Sequence, residues 1–475
     1  MSKKIFSFYW NALEKFGSQI VRFVLGIVLA RILSPRDYGL IGLLIVFTAI
    51  SQIFVDSGFS KALMQKNDKN PSDVNTAFTF NLIVSLSLYL LLFITAPLIA
   101  HFYEEVILVQ LLRVLALTLI INALFAIPNT ILAIDLDFKK IAVINFTSIV
   151  ISGIVAILLA IMGFGVWALV LQYLLKSILT TVLFWLSKAW SPKLFFSKTS
   201  FKRLFKFGIN ITLSSLLNEI VEKFSWLFIA KSFSTSDLGY YNRGIQFPDT
   251  AIGTLGSVLD SVLLPNLAKI KGDVLQLKEE VSRLIRFLSL ITILPTVLLA
   301  VLAEPVVILL LTNKWIAAAP ILSIFCFCRF TTNLSTISIN LLYTINKSNL
   351  VLRQQYWKMG IRIVLILLAL KFGIVYVALA ELISVIIHFI IGAYYPGKII
   401  NFGAVNQIRQ ILPFLIIGLF EFIALSYLMS LFDSQIVKIS IVCAVGLFLH
   451  IVLVYFFKKE DYIVLKGLLF KLIGK

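Results

Sequence analysis

The stretch "LARILSPRDYG", Leu29–Gly39, returns 200 residues later as "FIAKSFSTSDLG", Phe228–Gly239. Ala30, Ser34, Asp37 and Gly39 fall on Ala230, Ser234, Asp237 and Gly239, with Arg31 on Lys231 and Leu33 on Phe233. Ser-x-x-Asp is the pattern of a helix start, because hydroxyl and carboxylate oxygens satisfy N–H groups that the first turn leaves unbonded. The glycine of each copy is expected to supply a tight turn. A helix junction written twice at a long, fixed interval marks an internally duplicated chain.

Composition identifies the solvent. Of 475 residues 60% are hydrophobic and only 14% charged, and mean hydropathy is +0.99. A water-soluble domain runs nearer half apolar and a quarter charged, so most of this surface must face lipid. A bilayer-crossing helix needs about 20 apolar residues. Such runs are expected near 11–33, 40–63, 77–100, 107–131, 141–162, 165–187, 207–231, 244–268, 284–311, 316–342, 350–370, 373–395, 411–431 and 436–457. Strict polar–apolar alternation is absent, which excludes a β-barrel. The first run is too long for a cleaved signal and lacks a small-residue cleavage site, so it reads as a retained helix.

The fold class read from these runs is an all-α polytopic membrane protein of about fourteen helices. Its domains are a first six-helix bundle over 1–190, a second over 191–400, and helices 13 and 14 with a basic amphipathic cytoplasmic tail over 401–475. Six helices separate the two copies of the junction, so both copies cross in the same direction. A parallel repeat of this kind is one known plan for a transporter with its site between two halves.

Charge gives the orientation. With both ends in the cytoplasm, 28 of the 42 Lys and Arg residues fall on that side, Lys347, Arg353 and Lys358 among them, and only Arg36, Lys231, Arg243, Lys314, Lys371 and Lys438 fall outside. Positive loops stay inside. The same distribution accounts for the net charge of +19 without nucleic acid, since no block of like charge forms a binding arm. Cys326, Cys328 and Cys443 lie in apolar runs and form neither a disulfide framework nor a metal site. His101, His388 and His450 are scattered. No cofactor or metal is expected.

The remaining basic residues lie within the spans. Lys15 and Arg31 can snorkel to an interface. Arg22, Arg113, Lys176, Lys223, Arg329 and Arg362 are the candidates for lining a cavity, because a cation in a membrane helix is costly and usually serves function. In helix 1, Asn11, Glu14, Lys15, Ser18, Gln19, Arg22 and Gly26 fall within an arc of about 140°. Helix 7 carries Asn210, Ser214, Asn218, Glu222 and Ser225, and at the 200-residue offset Ser18, Gln19 and Arg22 overlay Asn218, Glu219 and Glu222. Asp56 and Asp260 hold comparable places near the inner ends of helices 2 and 8. Glu222, Asp260 and Glu381 are the candidates for coupling to an ion gradient, and Glu222 is placed to pair with Arg22 if the halves face each other.

Seven segments, "LARILSPRDYGLIGL", "DSGFSKALMQKND", "NTAFTFNL", "AIDLDFKKIA", "GFGVWALVLQ", "LGYYNRGIQFP" and "VLLPNLAKI", occur in this order. By them the chain resembles the polysaccharide (O-antigen, Wzx-type) flippases of the multidrug/oligosaccharidyl-lipid/polysaccharide exporter superfamily, closest to the colanic-acid and teichuronic-acid exporter branch. The resemblance implies fourteen helices, a central cavity between two six-helix bundles, and an undecaprenyl-pyrophosphate-linked oligosaccharide as cargo, in the bacterial cytoplasmic (inner) membrane. It also implies membrane lipid, and a polysaccharide polymerase and chain-length assembly proteins, as partners. The family has no strict catalytic signature, so the resemblance assigns no residue. A lipid II-type peptidoglycan precursor flippase and a cation-coupled multidrug antiporter of the same superfamily remain as alternatives. The antiporter would favour acidic over basic cavity residues.

An enzyme is not expected. Asp135-Leu-Asp137 resembles a glycosyltransferase metal motif, but it stands in a short loop with no nucleotide-binding domain around it. The pyrophosphate cargo fits the cations, since guanidinium and ammonium groups bind phosphate in desolvated sites.

Overall fold

The computed structural model of the chain describes residues 3–56, 58–66, 70–187, 190–254, 272–345 and 347–457, with Leu267 and Ile270. All regular structure among them is helical: α1 (Lys3–Ile32), α2 (Pro35–Asp56), α3 (Phe59–Lys66), α4 (Pro71–Tyr103), α5 (Leu108–Ile134), α6 (Phe138–Ile161), α7 (Val166–Leu186), α8 (Lys198–Ser232) and α9 (Thr235–Pro248), which runs into a π-helical turn at Asp249–Gly253. There follow α10 (Val274–Val301), α11 (Ala303–Leu311), a 3₁₀ segment (Asn313–Ala318), α12 (Ala319–Thr344), α13 (Ser348–Ala369), α14 (Ile374–Ile400), α15 (Ala404–Ser430) and α16 (Gln435–Phe457).

The helix ends follow local chemistry. Asn70 accepts a bond from Ser72 N at 3.0 Å before Pro71 opens α4, proline there lacking only an N–H that would be unbonded anyway. Asp273 caps α10 through Leu275 N and Gln276 N, at 2.9 and 3.0 Å. Between α6 and α7 the backbone turns through Gly163 (φ 86°) and Gly165 (φ 55°), a left-handed conformation that glycine adopts without steric cost. Asp137 caps α6 by accepting from Lys140 N at 3.3 Å. The Asp-Leu-Asp sequence is therefore a helix junction.

Among the described residues, ten helical segments are long and apolar enough to cross a bilayer. The expected first, seventh and eleventh spans, α1, α8 and α13, are helices too but carry charged residues along their length. The eighth expected span continues from α9 into residues that are not described. The ninth is longer than expected at its start and breaks at Leu302, where α11 begins. On α4, Ile83, Leu90, Ile94 and Leu98 are exposed, the last two at 71% and 70%. Lipid is the solvent that accommodates such a face.

The chain forms two compact units, Met1–Gly239 and Tyr240–Lys475. In the first, α1 packs on α6, α4 and α7 on α5, and α8 on α2, α3 and α4. Small residues set the spacing, since a Cβ on Gly153 of α6 would lie 2.2 Å from a Leu25 methyl of α1. In the second, α12 packs on α10 and α14, α13 on α14, α15 on α10, and α16 on α15. The packing boundary falls after α8, within α9, whereas the second bundle expected from the sequence begins before α8, at residue 191.

Candidate functional site

The repeated junction forms as its sequence dictates. Ser34 N and Oγ donate to Asp37 Oδ2 at 2.9 and 2.7 Å. Ser234 Oγ donates to Asp237 Oδ2 at 2.7 Å, and Asp237 N to Ser234 Oγ at 3.0 Å. The glycines do not supply turns. Gly39 and Gly239 are the fifth residues of α2 and α9, where the two copies cross backbone to backbone. Carboxylates from the α4–α5 connection tie this crossing. Glu105 Oε2 lies 2.6 Å from Arg36 Nη2, and Glu105 Oε1 accepts from Thr235 Oγ1 at 3.0 Å. Glu104 meets Lys231 Nζ at 2.8 Å, and this hydrogen-bonded cation holds its carboxyl below the ordinary range. At the other end of α2, Gly58 (φ 67°) abuts Gly208 of α8, its Cβ position 2.6 Å from the Gly208 carbonyl oxygen. Both ends of α2 are thus held against α8 and the start of α9.

Inside the first unit, α2, α5, α6 and α7 enclose a polar cleft of about 270 Å³. Its polar lining is Gln52, Asn122, Asn145, Tyr173 and Lys176 with the hydroxyls of Thr48, Thr118, Ser177 and Thr180. Asn122 Nδ2 donates to Gln52 Oε1 at 3.1 Å, bridging α5 to α2. Amide, hydroxyl and ammonium donors without a lining carboxylate suit an oxygen-rich or anionic guest. The sequence singled out Lys176 but not the amides that line the cleft with it, Gln52, Asn122 and Asn145, which lie on three different helices.

The other proposed cavity residues are dispersed. Arg22 is exposed, with Nη2 3.4 Å from Gln19 Oε1. Lys223 stacks over Trp226 at 3.8 Å, and its Nζ lies 3.7 Å from Glu222 Oε1. The Glu222–Arg22 pair, expected if the halves face each other, is not formed in this structure: Glu222 is exposed beside Lys223, and Arg22 meets Gln19. Arg113 sits 4.1 Å over the Phe93 ring and donates Nε to Phe93 O at 3.3 Å, tying α5 to α4. The side chains of Asn11, Glu14, Lys15 and Asn210 lie outside the described residues, as does Asp260 entirely.

The second unit holds a denser network. Arg329 of α12 pairs with Asp249 of the π turn. Arg362 of α13 pairs with Glu381 of α14 at 2.8 Å, the carboxylate side chain being only 3% exposed. Cys328 feels the charges of all four groups, so the two pairs share one region. His388 Nε2 lies 2.7 Å from Lys358 O and 3.1 Å from Ser384 Oγ. Lys358, counted above with the cytoplasmic loops, is buried between α13 and α14 against Gly392. Asp249, Lys358 and His388 were missed because their partners are separated from them by tens of residues. The π turn at Asp249, after Pro248, is the one local signal, since π turns recur at functional sites.

A family model described as "Polysaccharide biosynthesis protein" matches residues 28–320. The chain belongs to this family. It is 25% identical over 429 residues to the teichuronic acid biosynthesis protein TuaB of Bacillus subtilis (strain 168), covering 89% of this chain and 88% of that one. It is 26% identical to the succinoglycan biosynthesis transport protein ExoT of Rhizobium meliloti (strain 1021), over 66% of this chain and 64% of the relative. Its fold is that of the lipid II flippase MurJ in an inward closed conformation, with a TM-score of 0.79, 17% identity, and 94% and 98% of the two chains covered. The resemblance to polysaccharide flippases of the teichuronic and colanic type therefore holds. This member of the family is a multi-span membrane protein of the transporter class rather than an enzyme.

Proposed function

We propose that the protein flips an undecaprenyl-pyrophosphate-linked oligosaccharide, the repeat unit of a surface polysaccharide, from the inner to the outer leaflet of the bacterial cytoplasmic membrane by alternating access. Its two ends lie in the cytoplasm, and the two sequence repeats are the moving halves. Carrying a glycan pyrophosphate through hydrocarbon without a protein would cost on the order of tens of kcal/mol in lost hydration. A polar path that leaves the lipid tail outside avoids most of that cost.

The observation that carries this reading is the lining of the cleft in the first unit, which holds an ammonium, amides and hydroxyls and, among the described residues, no carboxylate. Lys176 heads a cleft of amides and hydroxyls, and Arg22 meets a glutamine. A drug-cation antiporter would need the reverse. Arg329 and Arg362 are each held by a carboxylate, and in this reading an arriving pyrophosphate competes for them. Arg113, satisfied by Phe93, is the weakest member of the set.

Arg22→Ala and Lys176→Ala test the reading in cells that make the polysaccharide. Both variants are expected in the membrane at normal levels, with surface glycan lost and lipid-linked glycan accumulating on the inner leaflet. Arg22→Lys restores part of the export, because charge survives while the bidentate fork is lost. Normal export by both alanine variants would remove these cations from the cargo path. A lipid II flippase would instead show peptidoglycan precursor accumulating in the same variants.

A further inference from the structure

Glu421 of α15 and His450 of α16 are 0% and 2% exposed, and His450 Nδ1 lies 2.8 Å from Glu421 Oε1. The other polar atoms of the two groups, Glu421 Oε2 and His450 Nε2, are buried without a hydrogen-bond partner. Both helices belong to the part of the chain beyond the two repeats, and nothing in the cargo reading uses them.

The surroundings are apolar and tightly fitted. Gly418 and Gly446, about one turn from the pair, let α15 and α16 close on α10. A Cβ on Gly418 would lie 2.7 Å from Ile293 Cγ1, and one on Gly446 2.6 Å from Leu298 Cδ2. Leu290, Phe414, Ile417 and Val454 cluster alongside. From Phe287 to Val301, α10 offers no titratable side chain, and the hydroxyls of Ser289, Thr292 and Thr296 are bonded to carbonyls of their own helix. The sole charged group of α11 is Glu304, which is exposed. Tyr394, Tyr395 and Lys398 of α14 stand near the start of α15, about 25 Å along that helix from Glu421. On α15 and α16 themselves, Arg409, Tyr427, Lys438, Cys443 and Tyr455 are all five or more residues from the pair. α12 also touches α15, through Phe327 on Phe422, and carries Cys326, Cys328 and Arg329 beside that contact, Arg329 being paired with Asp249; among the described residues the acid–base contact of Glu421 and His450 is with each other.

Charge arithmetic then limits what the pair can be. A carboxylate beside a neutral imidazole leaves a net negative charge in an apolar layer, and protonating both groups leaves a net positive one. One shared proton makes the pair neutral. An uncompensated buried charge costs several kcal/mol, so holding one proton is linked to keeping the helices packed. We infer that Glu421 and His450 form a proton-binding site. The pair takes one proton from water as α15 and α16 close on α10, holds it along the Nδ1–Oε1 hydrogen bond, and returns it to water when that packing opens. Oε2 and Nε2, the two atoms with no partner, are where the exchanging water bonds. This goes beyond the flippase reading and does not depend on the cargo.

The test uses the full chain reconstituted in liposomes. Infrared spectra across a pH series are expected to show a protonated-carboxyl band that comes and goes reversibly, is absent from Glu421→Gln, and shifts in His450→Gln. A band that Glu421→Gln leaves unchanged overturns the site. So does one that no pH moves while the protein stays folded, since the pair would then be a fixed strut. Should either variant fail to insert, ¹⁵N-histidine spectra of the wild type decide, because the chain has only three histidines and His101→Gln and His388→Gln assign the others. His450 nitrogen shifts that follow pH support the site, and shifts that stay constant contradict it.

Discussion

Gly39 and Gly239 occupy one crossing of two helix starts. A Cβ on Gly39 would lie 1.6 Å from the Thr235 carbonyl oxygen, and a Cβ on Gly239 would lie 1.9 Å from that of Pro35. The neighbouring atoms are backbone, so no side chain can swing away. The two copies of the junction pack on each other here, and each presents a face without a side chain.

Gly39→Ala and Gly239→Ala are therefore each expected to destabilise the protein by about 1–3 kcal/mol, the range for overpacking a tight site. Gly360, in the interior of α13 with open space at its Cβ position, is the control. Gly360→Ala should stabilise by up to about 1 kcal/mol through helix propensity. Thermal unfolding in detergent reads all three. Equal melting temperatures for Gly39→Ala and Gly360→Ala would show that the crossing tolerates a side chain.

The Arg362–Glu381 pair gives a second prediction. Glu381→Leu takes the carboxylate from a guanidinium that is largely buried, at a cost of about 3–5 kcal/mol. Replacing both partners, Arg362→Met with Glu381→Leu, should recover most of that stability, because the desolvation cost disappears with both charges. Glu381→Gln keeps the shape and a hydrogen-bonding oxygen, and is expected to fold. If Glu381 also couples transport to a gradient, export by Glu381→Gln ignores a collapsed pH gradient that slows the wild type. A double variant as unstable as Glu381→Leu alone would refute the ion-pair account.

The solvent and the two helix junctions were legible in the sequence, because apolar run length and the repeated Ser-x-x-Asp depend only on local chemistry. The capping boxes formed at Ser34–Asp37 and Ser234–Asp237 as written. The function of the glycines was not legible. A glycine that opens a turn and one that admits another backbone look alike until the partner strand of chain is known. Lys176 could be marked as an intramembrane cation, but Gln52, Asn122 and Asn145 come to it from three other helices. Glu421 and His450 were equally invisible: each is a single polar residue in an apolar run, 29 residues apart, and only the α15–α16 packing joins them.

Orientation makes the third prediction. Single cysteines placed on a cysteine-free background should be labelled from outside at position 104, in the α4–α5 connection, and not at position 198, the start of α8. An impermeant maleimide on intact cells or spheroplasts measures this. Outside labelling of position 198 would break the arrangement with both ends in the cytoplasm.

The central claim is that this chain moves a lipid-linked glycan across a bilayer, and a reconstituted flipping assay tests it most directly. Purified protein is placed in liposomes whose undecaprenyl-pyrophosphate oligosaccharide carries a fluorophore that an external reductant can quench. Protein-free vesicles should lose about half the signal, the outer leaflet's share. Vesicles with the wild-type protein should lose nearly all of it, and vesicles with Arg22→Ala should behave like protein-free ones. Half-quenching with the folded wild-type protein present, in both the presence and the absence of an imposed pH gradient, would contradict the account.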